Sequence, residues 1–284
     1  MRFTFIDQHR DEFRVTCMCK VLAVSSSGYY AWRQRPPSQR EEDNKRLVKQ
    51  IRAVHEHSRQ TYGSPRIHAE LQEQGESISR KRVAGLMRQH ELVTRHKRRY
   101  KTTTQRDPAH VPAPNLLAQD FTAEQMNEKW VADITHIDTA EGWLYLAAVL
   151  DTFSRMVVGW SMQSRLHTVL VESALHMALG RRHIGLDLIH HSDQGSQYTS
   201  HSMQDLLQAT GIQVSMSGVG NCYDNAMMES FFATLKTECA FERFATRAQA
   251  RQAIFEYIEI WYNRSRRHSA LDYLSPAQFE QLSV

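Results

Sequence analysis

The chain has 284 residues, 41% of them hydrophobic and 23% charged, with a formal net charge of +4. Those values describe a globular chain of about two domains, long enough to bury a core, and exclude disorder over most of its length. No apolar run approaches the ~18 residues of a membrane helix, and the N-terminus, MRFTFIDQHRDEF, lacks an apolar signal core, so an intracellular protein without membrane partners is expected. Four cysteines are too few for a disulfide scaffold, and none forms a Cys-x-x-Cys pair, so structural zinc is not expected either. The mild net charge hides an asymmetry. Residues 1–110 hold 23 Lys+Arg against 12 Asp+Glu, whereas residues 111–284 hold 12 against 19. A basic front half suits a polyanion and an acidic back half suits divalent cations, although charge alone equally serves solubility.

In chain order, residues 13–22 (FRVTCMCKVL) carry apolar side chains at helical spacing, Ser25 to Gly28 make a turn, and YYAWRQR resumes a helix up to Pro36-Pro37. Residues 1–35 therefore form a small helical segment, read as a helix-turn-helix or as a simple packed hairpin. In residues 41–57, Leu47, Ile51 and Val54 mark one helix face, TYGSPR breaks the helix, and RIHAELQEQG forms the next, stopped by Gly75. A serine from the Ser77–Ser79 stretch then caps a basic helix, SRKRVAGLMRQHEL. Residues 40–94 read as a helix-turn-helix-like DNA-binding domain. Arg80, Lys81, Arg82 and Arg88 are its candidate phosphate contacts, a solvated basic face being the alternative. Residues 95–118 are a linker rich in basic residues and proline, whose Lys97, Arg98 and Arg99 are candidates to order on a phosphate backbone.

After Asn115 the periodicity changes. KWVADITHID, GWLYLAAVLD and RMVVGWSMQ read as three strands in an antiparallel meander. Residues 167–180 form a helix, LDLIHHSD a strand, SHSMQDLLQATG a helix, IQVSMS a strand, GVGNCYDN a loop and AMMESFFATLKTEC a helix. The order βββαβαβα is that of a ribonuclease-H-like fold, a mixed five-stranded α/β sheet with flanking helices, assigned to residues 119–245. Residues 246–284 supply a C-terminal helix and a basic tail in which Arg264, Arg266 and Arg267 are candidate DNA contacts. Trp261 and Tyr262 are expected in the core.

Three carboxylates stand out. Asp133 lies inside the first apolar strand, where a charge is costly without a partner; Asp193 ends the fourth strand; Glu229 lies one turn into the late helix. If the first and fourth strands are neighbours, the three can converge and hold two divalent ions. Such a pair of ions activates an attacking oxygen and stabilises a leaving one in phosphodiester chemistry, and hard oxygen ligands suit magnesium or manganese. Each residue also has a plainer reading: Asp133 paired with His136 or an arginine, Asp193 capping the next helix, Glu229 solvated. Asp138, Asp151, Asp187 and Asp224 are available too. Lys236, two helical turns beyond Glu229, faces the same side and could hold a DNA phosphate. Gly218, Gly220 and Asn221 could form a moving loop or a mere connector. Gln194, Gln197, Tyr198 and Asn225 either touch substrate or support the site.

These stretches carry a resemblance. WVADITHID, HSDQGSQYTS, GNCYDNAMMESFFATLKTE and WYNRSRRHSALDYLSPAQFE, with SSSGYYAW and YGSPRIHAEL nearer the start, resemble the second-reading-frame transposases of the insertion-sequence-three family, within the DDE transposases and retroviral-type integrases. Between Asp133 and Asp193 stand 59 residues, between Asp193 and Glu229 stand 35, and Lys236 follows Glu229 by seven, all matching that family's signature. The resemblance implies a metal-dependent polynucleotidyl transferase (DDE transposase) with Asp133, Asp193 and Glu229 as the catalytic, metal-holding triad. It implies two Mg2+ ions, for which Mn2+ substitutes, and DNA strand cleavage and transfer at the element's terminal repeats. It also implies a nucleoid-associated bacterial protein and a homo-oligomer on DNA. An upstream-frame product is expected as partner, since no sustained heptad repeat is present here and this chain reads as the catalytic part alone. Two alternatives stand beside it: a DNA-binding regulator without catalysis, and a hydrolytic ribonuclease-H-type nuclease.

Overall fold

The computed structural model describes residues 1–95, 113–218 and 222–283, and these form two compact units, Met1–Arg52 and Ala53–Val284. The expected linker residues Lys97, Arg98 and Arg99, and the loop residues Gly220 and Asn221, lie outside the described residues. The boundary between the units falls inside a helix.

The first unit holds α1 (Arg2–Gln8), α2 (Val15–Val21), α3 (Ser26–Gln34) and most of α4 (Gln39–His57). The α2-turn-α3 pair was expected; α1 was not, because seven residues give too little periodicity to read. Ser25 caps α3 by accepting from the Gly28 amide at 3.0 Å. Ile6, Met18, Cys19 and Tyr29 form its small core, and Tyr29 donates its hydroxyl to Asp7 at 2.9 Å.

The second unit opens with α5 (Ser64–Glu73) and α6 (Arg80–Gln89). Gly75, at φ +85°, adopts the left-handed turn that glycine permits. Ser79 then caps α6 as expected, accepting from Arg82 N–H at 3.3 Å. Ile67, Leu71, Val83, Leu86 and Met87 are the buried stripes of these helices.

The sheet consists of β1 (Lys129–Ile137), β2 (Leu144–Asp151), β3 (Val157–Gln163), β4 (Ile189–Ser192) and β5 (Gln213–Met216), in the order β3-β2-β1-β4-β5. The first three strands pair antiparallel as expected; β1–β4 and β4–β5 are parallel. The crossovers are α7 (Thr168–Arg181) after β3 and α8 (His201–Ala209) between β4 and β5; α9 (Ala226–Glu238) follows β5. Trp130, Ala132, Val149 and Val158 meet Leu170, Ala174, Leu175 and Ala178 in the main core. At Gly159, α7 comes so close that a Cβ would overlap the Ala174 carbonyl. With side chains alternating along a strand, Asp133 shares its face of β1 with Val131 and Thr135, opposite Trp130 and Ala132.

The expected single helix over 247–263 is α10 (Arg247–Glu256) followed by a π-helical turn, Tyr257–Tyr262. That turn buries Tyr257, Ile258, Trp261 and Tyr262, so the last two belong to the core as expected. Asn263 closes the edge of β3, accepting from the Val157 amide and donating to its carbonyl, both at 3.0 Å. A 3-10 turn (Ser269–Leu271) and α11 (Pro276–Leu282), with a Ser275/Gln278 capping box, end the described chain.

Candidate active site

Parallel pairing of β1 with β4 runs through Lys129↔Ile189, Trp130↔His190 and Val131↔His191. Two residues beyond the last pair on each strand stand Asp133 and Asp193, at the same level of adjacent strands. Burial raises the Asp133 pKa well above the ordinary carboxylate value, and the charge of Asp193, then that of Glu229, adds to the shift. Burial also raises Asp193. Glu229, exposed at the start of α9, is raised by partial desolvation.

Each carboxylate is aimed by its own backbone. Asp133 Oδ1 accepts from the Ile134 amide at 2.7 Å, and Asp193 Oδ1 from the Gly195 amide at 3.0 Å. A Cβ on residue 195 would stand 2.9 Å from that same Oδ1, so the turn after Asp193 needs glycine. Among the described residues Asp133 hydrogen-bonds to neither His136 nor an arginine; His136 instead meets the Trp143 ring edge-on at 4.6 Å between centroids. Asp193 does not cap α8, since Ser200 does, accepting from Met203 N–H at 3.4 Å. Lys236 is half-buried, its pKa lowered by burial and partly restored by the charge of Asp133, so α9 brings it toward the carboxylates.

The other acidic residues have different work. Asp138 pairs with Arg243 at 3.1 Å, and Asp187 is exposed. Asp151 is fully buried and accepts from the amides of Asn127 and Phe153 at 2.7 and 2.9 Å. Asp224, also buried, accepts from Asn115 Nδ2 at 2.9 Å and from the Gly218 amide at 2.8 Å. It therefore anchors both ends of the loop before α9. Asn225 donates to the Ala132 carbonyl at 3.3 Å, tying the start of α9 to the strand that carries Asp133. Gln194 donates to the Ser217 carbonyl at 2.8 Å, and Tyr198 is buried, so both support the site. Sequence reasoning missed His191. Its ring lies between Ser215 Oγ (2.8 Å) and Ser217 Oγ (3.1 Å), joining β4 to β5 and the loop beyond. A histidine inside an apolar strand was the signal for it.

The donor set fits a hard divalent cation. The charge of Asp193 opposes the ionisation of Asp133, and a cation between the two carboxylates removes that opposition. Among the described residues no three His, Cys, Asp or Glu side chains stand gathered into a ready metal-holding group. Glu229 reaches the pair through its charge, from the exposed start of α9.

The expected DNA contacts divide. Arg80, Lys81 and Arg88 are exposed on α6, Arg82 is half-buried, and Arg264 is exposed. Arg266 and Arg267 are corrections: both are buried. Arg266 forms a fork on Glu238 through Nε (3.0 Å) and Nη2 (2.9 Å), while Arg267 pairs with Glu70 at 2.6 Å and with Glu73. Their charges are used inside the fold, because a buried guanidinium must be paired. No helix among the described residues is long and apolar enough to cross a membrane.

Comparison with known proteins agrees with this geometry. Two integrase core domain models match residues 123–222 and 210–276, and an HTH-like domain model matches residues 41–100. The chain is 44% identical to "Transposase InsF for insertion sequence IS3A" of Escherichia coli (strain K12) over 287 aligned residues, covering 100% of both chains. It is also 44% identical to "Insertion element IS600 uncharacterized 31 kDa protein" of Shigella sonnei, covering 93% of this chain and 97% of that one. The catalytic core domain of BIV integrase aligns at 19% identity over 55% of this chain and 95% of that one, with a TM-score of 0.42, too loose a likeness to bear argument. Full-length identity at this level, on a ribonuclease-H-like sheet preceded by an HTH-like region, places the chain in the IS3-type insertion-sequence transposases, a DDE transposase family of DNA transposition and integration.

Proposed function

We propose that this chain cuts and joins DNA strands at insertion-sequence ends with Asp133, Asp193 and Glu229 as its catalytic residues and as the holders of two Mg2+ ions. The observation that carries the reading is the parallel pairing of β1 with β4, which sets Asp193, one residue past β4, beside Asp133, whose ionisation its charge opposes. When bound, the ions supply Lewis acidity toward the attacking and leaving oxygens of a phosphodiester, and Mn2+ serves in their place. The chain's own part is to fix geometry. Asp133 and Asp193 are held by backbone amides, and Asn225 sets α9, and with it Glu229, against β1. Lys236, on the Glu229 side of α9, neutralises a phosphate beside the scissile one. Arg80, Lys81, Arg82 and Arg88 of α6, the basic residues Lys97, Arg98 and Arg99, and Arg264 bind the backbone away from the cut. Two element ends must meet, so the active form is a homo-oligomer on DNA, with the upstream-frame product as partner in recognising the ends.

The test is a labelled duplex bearing the element's terminal repeats, with Mg2+ and the full chain. Asp133→Asn, Asp193→Asn and Glu229→Gln are each expected to lower cleavage by more than roughly 10³-fold, about 4 kcal/mol of barrier, with DNA binding kept. Cleavage retained by any one variant removes that residue from the site. Hydrolysed ends without joined product would favour the nuclease alternative, and binding without cleavage, even with the upstream product added, the regulatory one.

A further inference from the structure

A cavity of about 330 Å³ lies against α9, round the helix from the catalytic stripe. At about 100° per residue, Glu229 and Lys236 fall on one line, whereas Ser230 and Thr234, which line the cavity, sit about a third of a turn away. Arg66 of α5, Arg95 after α6, Arg155 of the β2–β3 turn, and Arg266 and His268 of the C-terminal segment bring basic side chains to the wall. Among the described residues Glu238 is the one acidic residue of the lining. Its oxygens are already taken by Arg266, by the Tyr257 hydroxyl at 3.0 Å and by the Trp261 indole at 3.2 Å.

Arg66 and Arg155 are left over. Among the described residues neither guanidinium makes an ion pair or a hydrogen bond, and Arg66 Nε is wholly buried without a partner. Arg66 rests on the Tyr62 ring, 5.6 Å from its centroid. Burial, then the charge of Arg266, lowers the Arg66 pKa against a partly offsetting pull from Glu238; burial lowers Arg155. Burial and the nearby charges of Arg266, Arg66 and Arg155 push His268 down to about 2, so its ring is neutral and adds no charge. Two half-buried cations that no carboxylate pairs directly are costly to a fold and are retained where an anion completes them. Forked guanidinium donors and the Ser230 hydroxyl, which has no partner among the described residues, match the acceptor oxygens of a tetrahedral oxyanion.

We propose that Arg66, Arg155 and Ser230 form a pocket for a phosphate group of a DNA strand, held about a third of a turn round α9 from the phosphodiester bound at the carboxylates. Taking DNA as the source rests on the function proposed above; the phosphate chemistry does not. The pocket sets the path of the strand, since two phosphates gripped on two faces of one helix, 10–12 Å thick, fix the strand's register over the carboxylates.

Two arms test it on the full chain. In the first, inorganic phosphate at about ten times its Kd is expected to raise the Tm of the wild type by about 3 °C. That rise disappears in Arg66→Gln and Arg155→Gln, while their Tm without phosphate stays equal or increases because an uncompensated cation has been removed. Arg155→Lys keeps the charge and part of the shift. In the second arm, a duplex is titrated at several salt concentrations. The double glutamine variant is expected to bind about tenfold more weakly, and the slope of log K against log salt falls by about one. No phosphate shift in the wild type, or an equal shift in the variants, overturns the pocket. A shift lost in the variants with an unchanged salt slope overturns DNA as the source and assigns the pocket to a free phosphate or nucleotide. Failure of the wild type to bind DNA at all counts against the transposase reading, and the first arm still judges the pocket.

Discussion

Asp133 and Asp193 are placed where an isolated carboxylate is least comfortable, and the consequence can be measured without any DNA. Both have folded-state pKa values raised above the ordinary aspartate value, chiefly by burial. A raised pKa means that the folded chain binds more protons than the unfolded one, so stability falls as pH rises from the unfolded aspartate pKa, near 3.8, through the folded value, and the loss is complete above it. In chelator at neutral pH, Asp133→Asn is therefore expected to melt higher than the wild type, with the difference shrinking toward pH 4. Mg2+ should raise the wild-type Tm and leave that of Asp133→Asn nearly unmoved. Melting curves with and without chelator from pH 4 to 8 check both, and a wild type whose stability rises through that range would speak against the raised carboxylate pKa values. Gly195 belongs to the same scale. A methyl group 2.9 Å from Asp193 Oδ1 forces the carboxylate or the turn to shift. Gly195→Ala is expected to lower strand cleavage about 10²-fold, the effect of misplacing a catalytic group by about an ångström, with DNA affinity unchanged.

Elements were legible in the sequence to different degrees. The meander and the two crossovers could be read because runs such as LYLAAVLD are apolar almost throughout while the helices repeat at helical period, and β2 is indeed buried on nearly every side chain. Register could not be read: that Val131 pairs with His191, and so brings Asp133 level with Asp193, depends on packing between strands 60 residues apart. The fate of the C-terminal arginines was hidden for the same reason. WYNRSRRHS looks like a basic tail, yet Glu238 of α9 and Glu70 of α5 turn two of its arginines inward. Breaking that arrangement separates structure from DNA binding. Arg266→Ala strands a buried Glu238 carboxylate and is expected to cost about 3–5 kcal/mol of unfolding free energy. The double variant Arg266→Met/Glu238→Gln should recover much of that loss in denaturant titrations. Full stability in the single variant would mean that the pair is dispensable. Asn225→Ala is milder in stability, about 1 kcal/mol for one hydrogen bond, but it frees α9 from β1 and should depress cleavage more than binding.

On the scale of the whole molecule, the charge asymmetry of the chain assigns different work to its ends. The half ending at residue 110 carries the excess of Lys and Arg, and the half beyond it carries the carboxylates proposed to receive metal. Lys97, Arg98 and Arg99 are consecutive in the sequence and fall at the end of the HTH-like match, ahead of the integrase core. Like charges at that density repel one another, and a phosphate backbone relieves the repulsion while its counterions are released to solvent. Binding of this kind carries no base information, because every phosphate offers the same charge. Replacing Lys97, Arg98, Arg99 and Lys101 with glutamine is therefore expected to weaken binding to terminal-repeat and unrelated duplexes by the same factor. The slope of log K against log salt should become shallower by up to about 0.9 for each phosphate that the variant no longer neutralises. Titrations of both duplexes between about 50 and 200 mM salt decide it. A weakening confined to the terminal repeat would show that this stretch reads bases, and its place would then be in a groove of the duplex and not along the backbone.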